Sequence, residues 1–540
     1  MSRPNPFILT AVLLLFIAGF GGLGLLKGGL YLDTHEGDTY HLLDILFRMK
    51  DGQTPHVDFI TPIGILAFLP IVTLMKTGMA AGLAVLWGQI AVALILLPVT
   101  LYAAMTRLSG KLAYAFGVIV MLLVLALTYG GPHADTSISM HYNRWAWAIS
   151  FILLVIAVLP PRKAGYPIID GVILGLLGLA LLLIKVSFFA ALLPATILAL
   201  AWGRSFRALV VALIIGLAGM AVLTVLWGLP FWTGYISDIL TVATSKVRPS
   251  GGEPIDQIIA GPAFIGGTIA AIISYLALRR AGHDREAIVL ILLVPGFFYI
   301  TYQNFGNDPK WIAFLPLLLL TIRGRDLVQS DASSSGLDLN LVTAIAAAAL
   351  IFPSGANLLL SPLKHLSKDP SDYVAMVPAR PDDQEIYVTI IRGRSLNAES
   401  HLDATSQIWA KYSDDVERPG VLKINGTPYP HCELFGGSEA LLTETAADLA
   451  SAGIEKGSQF YVTDSLVAIW LFEDFAPLTG GAPWFYGGAP GLENADYVLV
   501  PKCPFVAAYR RIMVNDILAT GVSLQPALDR ELYTLFTVKN

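Results

Sequence analysis

The sequence predicts a polytopic α-helical membrane protein with a soluble α/β domain at its carboxyl end. Of its 540 residues, 55% are hydrophobic and 14% are charged, whereas charged residues make up about a quarter of a soluble domain. Apolar segments of about twenty residues, a length that crosses a bilayer, recur from Phe7 to Leu360. Beyond residue 361, charged residues, prolines and glycines reach ordinary frequencies and no further such segment follows.

The apolar segments are numerous enough to predict eleven membrane spans. They lie near residues 7–26, 80–105, 112–129, 145–160, 168–184, 187–203, 208–229, 262–278, 287–303, 309–322 and 338–360. The formal net charge of −5 predicts no nucleic-acid partner, because such partners attract basic surfaces.

The connecting loops indicate the orientation, provided that the short apolar segment 61–77 lies at the outer interface and does not span. One set of loops then carries most of the basic residues, on the same side as Arg3: Arg107, Lys111, Arg162, Lys163, Arg204, Arg207, Arg279, Arg280, Arg285, Arg323 and Arg325. The opposite loops hold Arg144, Lys246, Arg248 and Lys310. By the positive-inside rule the amino terminus is cytoplasmic and the tail, residues 362–540, lies outside.

The first outer loop carries an acidic stretch, residues 33–40, with Asp33, Glu36 and Asp38 beside His35. Ionisable groups close to hydrocarbon are costly, so they are candidates for function. The alternative is a solvated loop that only joins two helices.

Other polar residues belong to outer loops as well. Residues 130–147 include His133, Asp135, His141 and Arg144, which suit a wall for a phosphate or a sugar. The alternative is a loop whose polar groups satisfy one another. Residues 230–261 read as a longer loop with a hinge at Gly251-Gly252.

Two lysines are further candidates for holding a phosphate. Lys185 lies between two apolar runs and Lys310 lies in a Gly- and Pro-containing loop. A lysine is a compact point charge that can hold a phosphate. The alternative for Lys185 is a side chain that snorkels to the interface, and the alternative for the Lys310 loop is a Gly- and Pro-directed turn capped by Asn and Asp. The residues Asp38, Glu36, Asp135 and His133 supply oxygen and nitrogen ligands for a divalent metal, but no spacing requires one, so metal dependence stays open.

The tail reads as a mixed α/β domain. Strands are predicted at residues 459–463, 496–500 and 532–538, and helices at 438–452 and 506–520. Its Gly-rich aromatic loop, residues 480–488, contains Trp484 and Tyr486, which suit stacking on an acceptor sugar; the alternative is a turn packed by its own aromatic rings. Cys432 and Cys503 form a disulfide if the compartment is oxidising, and are otherwise two buried thiols.

Four short patterns in the first part of the chain suggest a family. They are Glu36-Gly-Asp38-Thr-Tyr40, Gly52-Gln-Thr-Pro55, Asp58-Phe59 and Thr61-Pro62-Ile63-Gly64. In this order, after a first span, they resemble the GT-C superfamily of integral-membrane glycosyltransferases, which includes the aminoarabinose transferase and the protein mannosyltransferases. The resemblance covers residues 7–160 and extends through the remaining spans by architecture.

The resemblance implies an inverting transfer of a sugar from a polyprenyl-phosphate donor at the outer face of a bacterial cytoplasmic membrane. An acidic residue of the first outer loop would act as the general base, with Asp38 the first choice, then Glu36 and Asp33. The acceptor would be an envelope glycan, a lipid or a protein. The tail of this chain, residues 362–540, would lie in the periplasm. The residues expected to hold the donor phosphate are Lys185, Arg144, Lys310, His133 and His141.

Two other classes of function remain open on the sequence. A transporter or flippase should show internal repeats and broken helices near the bilayer midplane, and no convincing repeat is present. A non-catalytic scaffold for envelope assembly would leave Asp38 dispensable.

Overall fold

A computed structural model of the chain describes residues 4–131, 134–162, 165–245, 247, 262–303, 308–329, 338–400, 422–430 and 432–539. His133, Lys246 and Arg248 lie outside the described residues, as does the Gly251-Gly252 hinge.

The amino-terminal two thirds of the chain are helical. The helices are α1 (Pro6–Phe16), α2 (Gly22–Leu25), α3 (Glu36–Lys50), α4 (Leu69–Met75), α5 (Ala81–Arg107), α6 (Gly110–Leu125), α7 (His141–Val158), α8 (Pro167–Ile184), α9 (Val186–Trp202), α10 (Phe206–Ala243), α11 (Pro262–Arg280), α12 (Asp284–Gln303), α13 (Phe314–Gln329) and α14 (Leu339–Leu366). A π-helical turn, Ile17–Gly21, joins α1 to α2.

Seven of the described helices are long and apolar enough to cross a membrane, counting α1 and α2 as one. Two further apolar helices, Gly110–Leu125 and Val186–Trp202, are shorter. Many of their large side chains remain exposed to the surroundings of the protein, for example Val225 and Phe352. Such surfaces suit contact with lipid, so the fold is compatible with a polytopic membrane protein.

Residues 61–77 form no long helix. They contain a 3₁₀ turn, Ile65–Ala67, and the seven-residue helix α4. A helix of this length rises only about 10 Å, too little to cross a bilayer of about 30 Å. The expectation that this segment does not span the membrane agrees with its structure.

The expectation of a loop over residues 230–261 was wrong for its first part. Helix α10 continues to Ala243 after a kink at Gly228, whose φ of 76° and ψ of 175° interrupt the helical backbone. Glycine reaches such angles without a steric penalty. Pro230 then lies where helical backbone resumes, and its fixed φ is favourable in a first turn.

The tail contains a four-stranded sheet. Its strands β8 (Phe460–Val462), β9 (Tyr497–Pro501), β10 (Ser523–Asp529) and β11 (Tyr533–Lys539) are ordered β10-β11-β9-β8. Only β8 and β9 run parallel, and α17 (Ser438–Ser451) and α18 (Ala507–Ala519) accompany the sheet. The predicted strands and helices of the tail are therefore confirmed within one to two residues at most ends.

The remaining strands of the tail are short. They are β2 (Tyr373–Ala375), β3 (Ile386–Thr389), β4 (Ala398–Ser400), β5 (Lys423–Ile424), β6 (Thr427–Pro428) and β7 (Cys432–Leu434). The short helices α15 (Pro381–Gln384) and α16 (Ile390–Arg394) flank β3. Cys432 and Cys503 form a disulfide.

A strand of the first outer loop joins the tail. Strand β1 (Leu30–Leu32) pairs in parallel with β3, and β2 pairs antiparallel on the other side of β3, giving the order β1-β3-β2. Leu30, Leu32, Ile386 and Val388 are buried in this sheet. The acidic stretch, which follows β1 directly, is therefore anchored to the tail.

Candidate functional site

Two residues with left-handed backbone bring the acidic stretch against the loop before α7. His35, with φ of 63°, precedes α3, and Met140, with φ of 52°, precedes α7. Such angles are uncommon for residues other than glycine and store strain of about 1–3 kcal/mol. The two turns lie next to the contact between Asp38, in the first turn of α3, and Ser139, just before α7.

The three acidic candidates have different surroundings. Asp33 accepts hydrogen bonds from the ammonium of Lys368 at 2.5 Å, the hydroxyl of Tyr373 at 2.6 Å and the backbone N–H of Thr136 at 2.9 Å. Partial burial alone would raise the pKa of Asp33, but these hydrogen bonds outweigh it and the pKa lies below its ordinary value. Asp33 is therefore an ionised group whose charge is already compensated by the tail.

Glu36 is also paired with the tail. Arg392 in α16 donates from Nε and Nη2 to its two oxygens, at 2.6 and 2.9 Å. This two-pronged geometry is the strong form of a carboxylate ion pair. Glu36 is buried, with 7% of its surface exposed, so its carboxylate is largely occupied.

Asp38 differs from both neighbours. The hydroxyl of Ser139 donates to its Oδ2, and its side chain is only partly buried. Asp38 has no ion-pair partner within the part of the chain that the structure describes. A partly exposed carboxylate that pairs with no cation and accepts a hydrogen bond from a hydroxyl is suited to accepting a proton from a substrate hydroxyl.

The motif residues after α3 are held by a second histidine. His56 is also left-handed, with φ of 69°, and its Nδ1 lies 2.8 Å from Oδ2 of Asp238 in the carboxyl-terminal part of α10. The same carboxylate oxygen accepts the backbone N–H of Thr61 at 3.0 Å. The part of α10 that was expected to be a loop thus fixes the start of the Thr61-to-Gly64 pattern.

Gly64 places that pattern against the end of α8. Its N–H donates to the carbonyl of Ile184 at 3.1 Å, and a Cβ on Gly64 would lie 2.0 Å from the carbonyl oxygen of Leu183. Only glycine permits this approach. Lys185, which follows at the break between α8 and α9, is therefore tied to the first outer loop.

The three predicted cations lie near one another. Lys185 donates to Oδ1 of Asn143 at 3.0 Å and lies over the ring of Tyr142. Lys310 is buried and pairs with Asp308 at 3.2 Å, and Asp308 also accepts from Ser354.

Arg144 lies close enough to Lys310 for their charges to repel. Its guanidinium is almost completely buried, and Nη2 donates to the carbonyl of Ala126 at 2.7 Å. Its Nε and Nη1 have no hydrogen-bond partner among the described residues. Lys310 pairs with Asp308, whereas Arg144 has no ion-pair partner among the described residues, so its positive charge suits an anion.

A small cleft lies beside Lys310. Its lining includes Tyr129, Met140, Asn143, Trp147, Asp308 and Lys310. Asn143 is the partner of Lys185, and Met140 follows Ser139, which holds Asp38. The lining of the cleft therefore includes Lys310 itself, the hydrogen-bond partner of Lys185 and the residue next to Ser139.

His141 has a different environment from the other phosphate candidates. It is buried, and its Nε2 lies 2.9 Å from the carbonyl of Ala67, to which it donates. Its ring packs against Tyr142 and Trp145. In this arrangement His141 links α7 to the segment before α4.

A large apolar cavity lies between α8, α9 and α10. Its volume is about 330 Å³, and Leu182, Phe189, Thr196 and Gly216 contribute to a lining that is otherwise almost entirely aliphatic. Leu182 and Phe189 flank Lys185 in sequence. The cavity therefore approaches the end of α8 at which Lys185 lies.

The aromatic loop of the tail lies against the first outer loop. The N–H of Gly480 donates to the carbonyl of Asp58 at 2.8 Å, and that of Ile60 to the carbonyl of Gly481 at 3.0 Å. The ring of Trp484 is 5.4 Å from that of His41 and its edge reaches Gly37. Tyr486 is buried, so of the two predicted acceptor residues Trp484 is the more accessible.

The metal-ligand candidates Asp38 and Asp135 have no cluster of further ligands around them among the described residues. Within the described ranges, no group of three or more His, Cys, Asp or Glu side chains is arranged to hold a metal ion. Asp135 is exposed, and Asp38 is bound to Ser139.

Sequence reasoning named His35 as an ionisable group but gave it no role, and it missed three other groups around Asp38. They are Ser137, Ser139 and Arg392. The proximity of His35 to Asp38 is visible in the sequence, but Arg392 follows Glu36 by 356 residues and no local pattern connects them.

Comparison with known proteins gives no family for this chain. No protein-family model matches it, and no curated protein matches it.

Proposed function

We propose that this chain is an inverting glycosyltransferase that moves a sugar from a polyprenyl-phosphate donor to a cell-envelope acceptor. The observation that carries the proposal is the contrast among the three acidic residues. Asp33 and Glu36 are paired with tail cations, whereas Asp38 has no ion-pair partner among the described residues and accepts a hydrogen bond from Ser139. The residue after Ser139, Met140, lines a small cleft together with Lys310.

In the proposed reaction Asp38 accepts the proton of an acceptor hydroxyl. The hydroxyl oxygen then bonds to the anomeric carbon as the bond between that carbon and the phosphate oxygen breaks. Attack from the face opposite the leaving group inverts the anomeric configuration. The polyprenyl phosphate leaves with the bonding electron pair, and positive groups stabilise the developing charge.

Lys185, Lys310 and Arg144 are the groups proposed to hold the phosphate. Arg144 contributes two buried guanidinium nitrogens that lack described partners, and burial strengthens their attraction for an anion. Lys310 would exchange part of its contact with Asp308 for the donor phosphate.

The apolar cavity between α8, α9 and α10 supports a lipid-linked donor. A polyprenyl chain buried there would gain about 25 cal/mol for each Å² of apolar surface removed from water. The cavity approaches the chain segment that carries Lys185. Helices α8 and α9 can therefore hold the lipid chain, while Lys185 between them holds its phosphate.

The acceptor is proposed to approach from the side of the tail. Trp484 lies beside Gly37 in the first turn of α3, one residue before Asp38. An aromatic face at this position can stack on a sugar ring while its hydroxyl reaches the carboxylate. Tyr486, which is buried, would support the loop.

We further propose that all eleven apolar segments span a bacterial cytoplasmic membrane, with the amino terminus in the cytoplasm and the tail in the periplasm. The distribution of Lys and Arg supports this orientation. The disulfide between Cys432 and Cys503 suits an oxidising compartment.

The test is transfer from a polyprenyl-phosphate sugar by purified protein carrying Asp38→Asn, with Glu36→Gln as the matched control. We expect Asp38→Asn to reduce kcat by at least about 100-fold with donor binding retained, in line with loss of a general base. Glu36→Gln should act mainly on stability, because Glu36 is paired with Arg392. Assays with and without EDTA test the open question of a metal.

Other outcomes would change the proposal in distinct ways. Loss of transfer only in Glu36→Gln would move the base to Glu36. Full activity in both variants would remove the mechanism. If the unmodified protein transfers no sugar from any polyprenyl donor, movement of lipid across a vesicle membrane becomes the next assay, since the apolar cavity also suits a flippase.

A further inference from the structure

His35 is connected to Asp38 through two serines of the neighbouring loop. Its Nδ1 lies 3.1 Å from the hydroxyl oxygen of Ser137. That hydroxyl oxygen accepts the backbone N–H of Ser139 at 3.1 Å, and the Ser139 hydroxyl donates to Asp38. His35 and Asp38, at the start of α3, thus contact Ser137 and Ser139 of the loop before α7.

The imidazole ring of His35 is itself fixed. It packs edge-on against the ring of Tyr129, with 5.2 Å between ring centroids. The carbonyl of His35 accepts both the N–H and the hydroxyl of Thr39, at 3.1 and 3.0 Å, which secures the first turn of α3. The ring can therefore act as a rigid support for Ser137.

The charges that face His35 come from three elements. Asp38 and Glu36 belong to α3, Arg392 to α16 of the tail and Asp135 to the loop before α7. Desolvation by partial burial is the largest influence and lowers the pKa of His35 below its ordinary value, despite the nearby carboxylates. The ring is accordingly neutral at neutral pH. A neutral ring holds Ser137 without placing a positive charge beside Asp38.

We propose that His35 is a positioning residue, which fixes the Ser137–Ser139 turn so that the Ser139 hydroxyl orients the carboxylate of Asp38. This inference rests on the proposed function for its consequence in catalysis, but the hydrogen-bonded connection can be tested without any transfer assay. A lysine or arginine at position 35 could hold the same serine, yet it would compensate the charge of Asp38 and weaken it as a base.

Three substitutions of His35 distinguish the contribution of the ring nitrogen Nδ1 from that of the left-handed backbone. Asn tolerates the left-handed backbone and offers a polar δ atom near the position of Nδ1. Gly tolerates the backbone and removes the side chain. Gln offers a polar atom one bond farther out, where it cannot replace Nδ1. We expect His35→Asn to behave like the parent, and His35→Gly and His35→Gln to share a defect.

The first measurement is hydrogen exchange by mass spectrometry on the full-length protein in detergent. His35→Gly and Ser137→Ala should each raise exchange in peptides that cover residues 136–140, and His35→Asn should restore the parent rate. Unchanged exchange in both His35→Gly and Ser137→Ala would overturn the proposal, whether or not the protein transfers a sugar.

The second measurement separates kcat from KM in the transfer assay. His35→Gly should lower kcat by about 10- to 100-fold, because small misplacements of a reacting group cost up to that factor, while the KM for the donor stays unchanged. Adding Ser137→Ala to His35→Gly should cause no further loss. An equal defect in His35→Asn, or a loss confined to KM and thermal stability, would contradict a positioning role. A parent protein without transfer activity would refute the proposed function and leave the exchange result to decide the connection.

Discussion

Arg392 of the tail donates to both carboxylate oxygens of Glu36, a residue 356 positions earlier in the chain. The pair joins α16 to the first turn of α3, two residues before Asp38. The tail therefore contributes directly to the geometry of the candidate site.

This pair predicts a specific loss of stability. Arg392→Gln should lower the free energy of unfolding by about 1–3 kcal/mol, because a buried carboxylate loses its charged donors. Arg394→Gln is the control on the same helix. Arg394 donates a single hydrogen bond to Glu439, whose other oxygen accepts from Thr443, so we expect a smaller loss. Chemical denaturation of the purified protein measures both values. Equal losses in the two variants would contradict a special role for the Glu36 pair.

The Asp33 cluster predicts a dependence of stability on acidity. The pKa of Asp33 is lower in the folded protein than its ordinary value, so its contribution is present above pH 4 and disappears as the pH falls through the lowered pKa. The thermal midpoint of the parent should decline more steeply below about pH 4 than that of Asp33→Asn. Lys368→Met and Tyr373→Phe, which each remove one donor, should bring the folded pKa of Asp33 closer to its unfolded value and make this decline smaller. Superimposable acid profiles for all four proteins would refute the assignment.

Gly64 predicts a steric effect at the junction with α8. Gly64→Ala would bring a methyl carbon to 2.0 Å from the carbonyl oxygen of Leu183, so the two segments must separate. We expect a fall in the thermal midpoint and, because Lys185 follows, a higher KM for the donor. Gly355→Ala is the control, since a Cβ there meets no atom within 4 Å. A Gly64→Ala protein as stable and active as that control would show that the contact is dispensable.

The apolar cavity predicts a dependence on the lipid chain of the donor. Gly216 lines the cavity and has open space around it, so Gly216→Phe should fill part of the volume without a clash. We expect the KM to rise about 10-fold or more for a long-chain donor, in proportion to the apolar surface excluded, and to stay constant for a short, water-soluble analogue. Gly355→Phe is the matched control outside the cavity. A similar change for long and short donors would place the lipid elsewhere.

The positions of the helices could be predicted from the sequence, because each apolar run is itself the helix that it indicates. The described helices α5 to α14 coincide with the expected segments, and most ends differ by only a few residues. The chief error is the loop expected at residues 230–243, because the predicted span ended at residue 229, just before Pro230. Following the kink at Gly228, the proline opens a second helical segment instead.

The pairing of the acidic residues was not accessible in the same way. Asp38 could be ranked first from its position, but the ion pairs of Asp33 and Glu36 depend on tail residues more than 330 positions away. Charge pattern and periodicity describe neighbours in sequence, and neither carries information about such contacts. The left-handed turns at His35 and Met140 were hidden for a related reason, since neither residue type demands that conformation.

The parallel pairing of β1 with β3 has a consequence for synthesis. Ile386 pairs with Leu30, so 356 residues must be translated before the strand meets its partner. At about 5–20 residues per second the ribosome needs roughly 20–70 s for this length. During that interval the first outer loop exists with an open strand edge and an incompletely compensated acidic cluster. A nascent chain released before residue 386 never closes that edge, and we expect quality-control proteases to recognise it there.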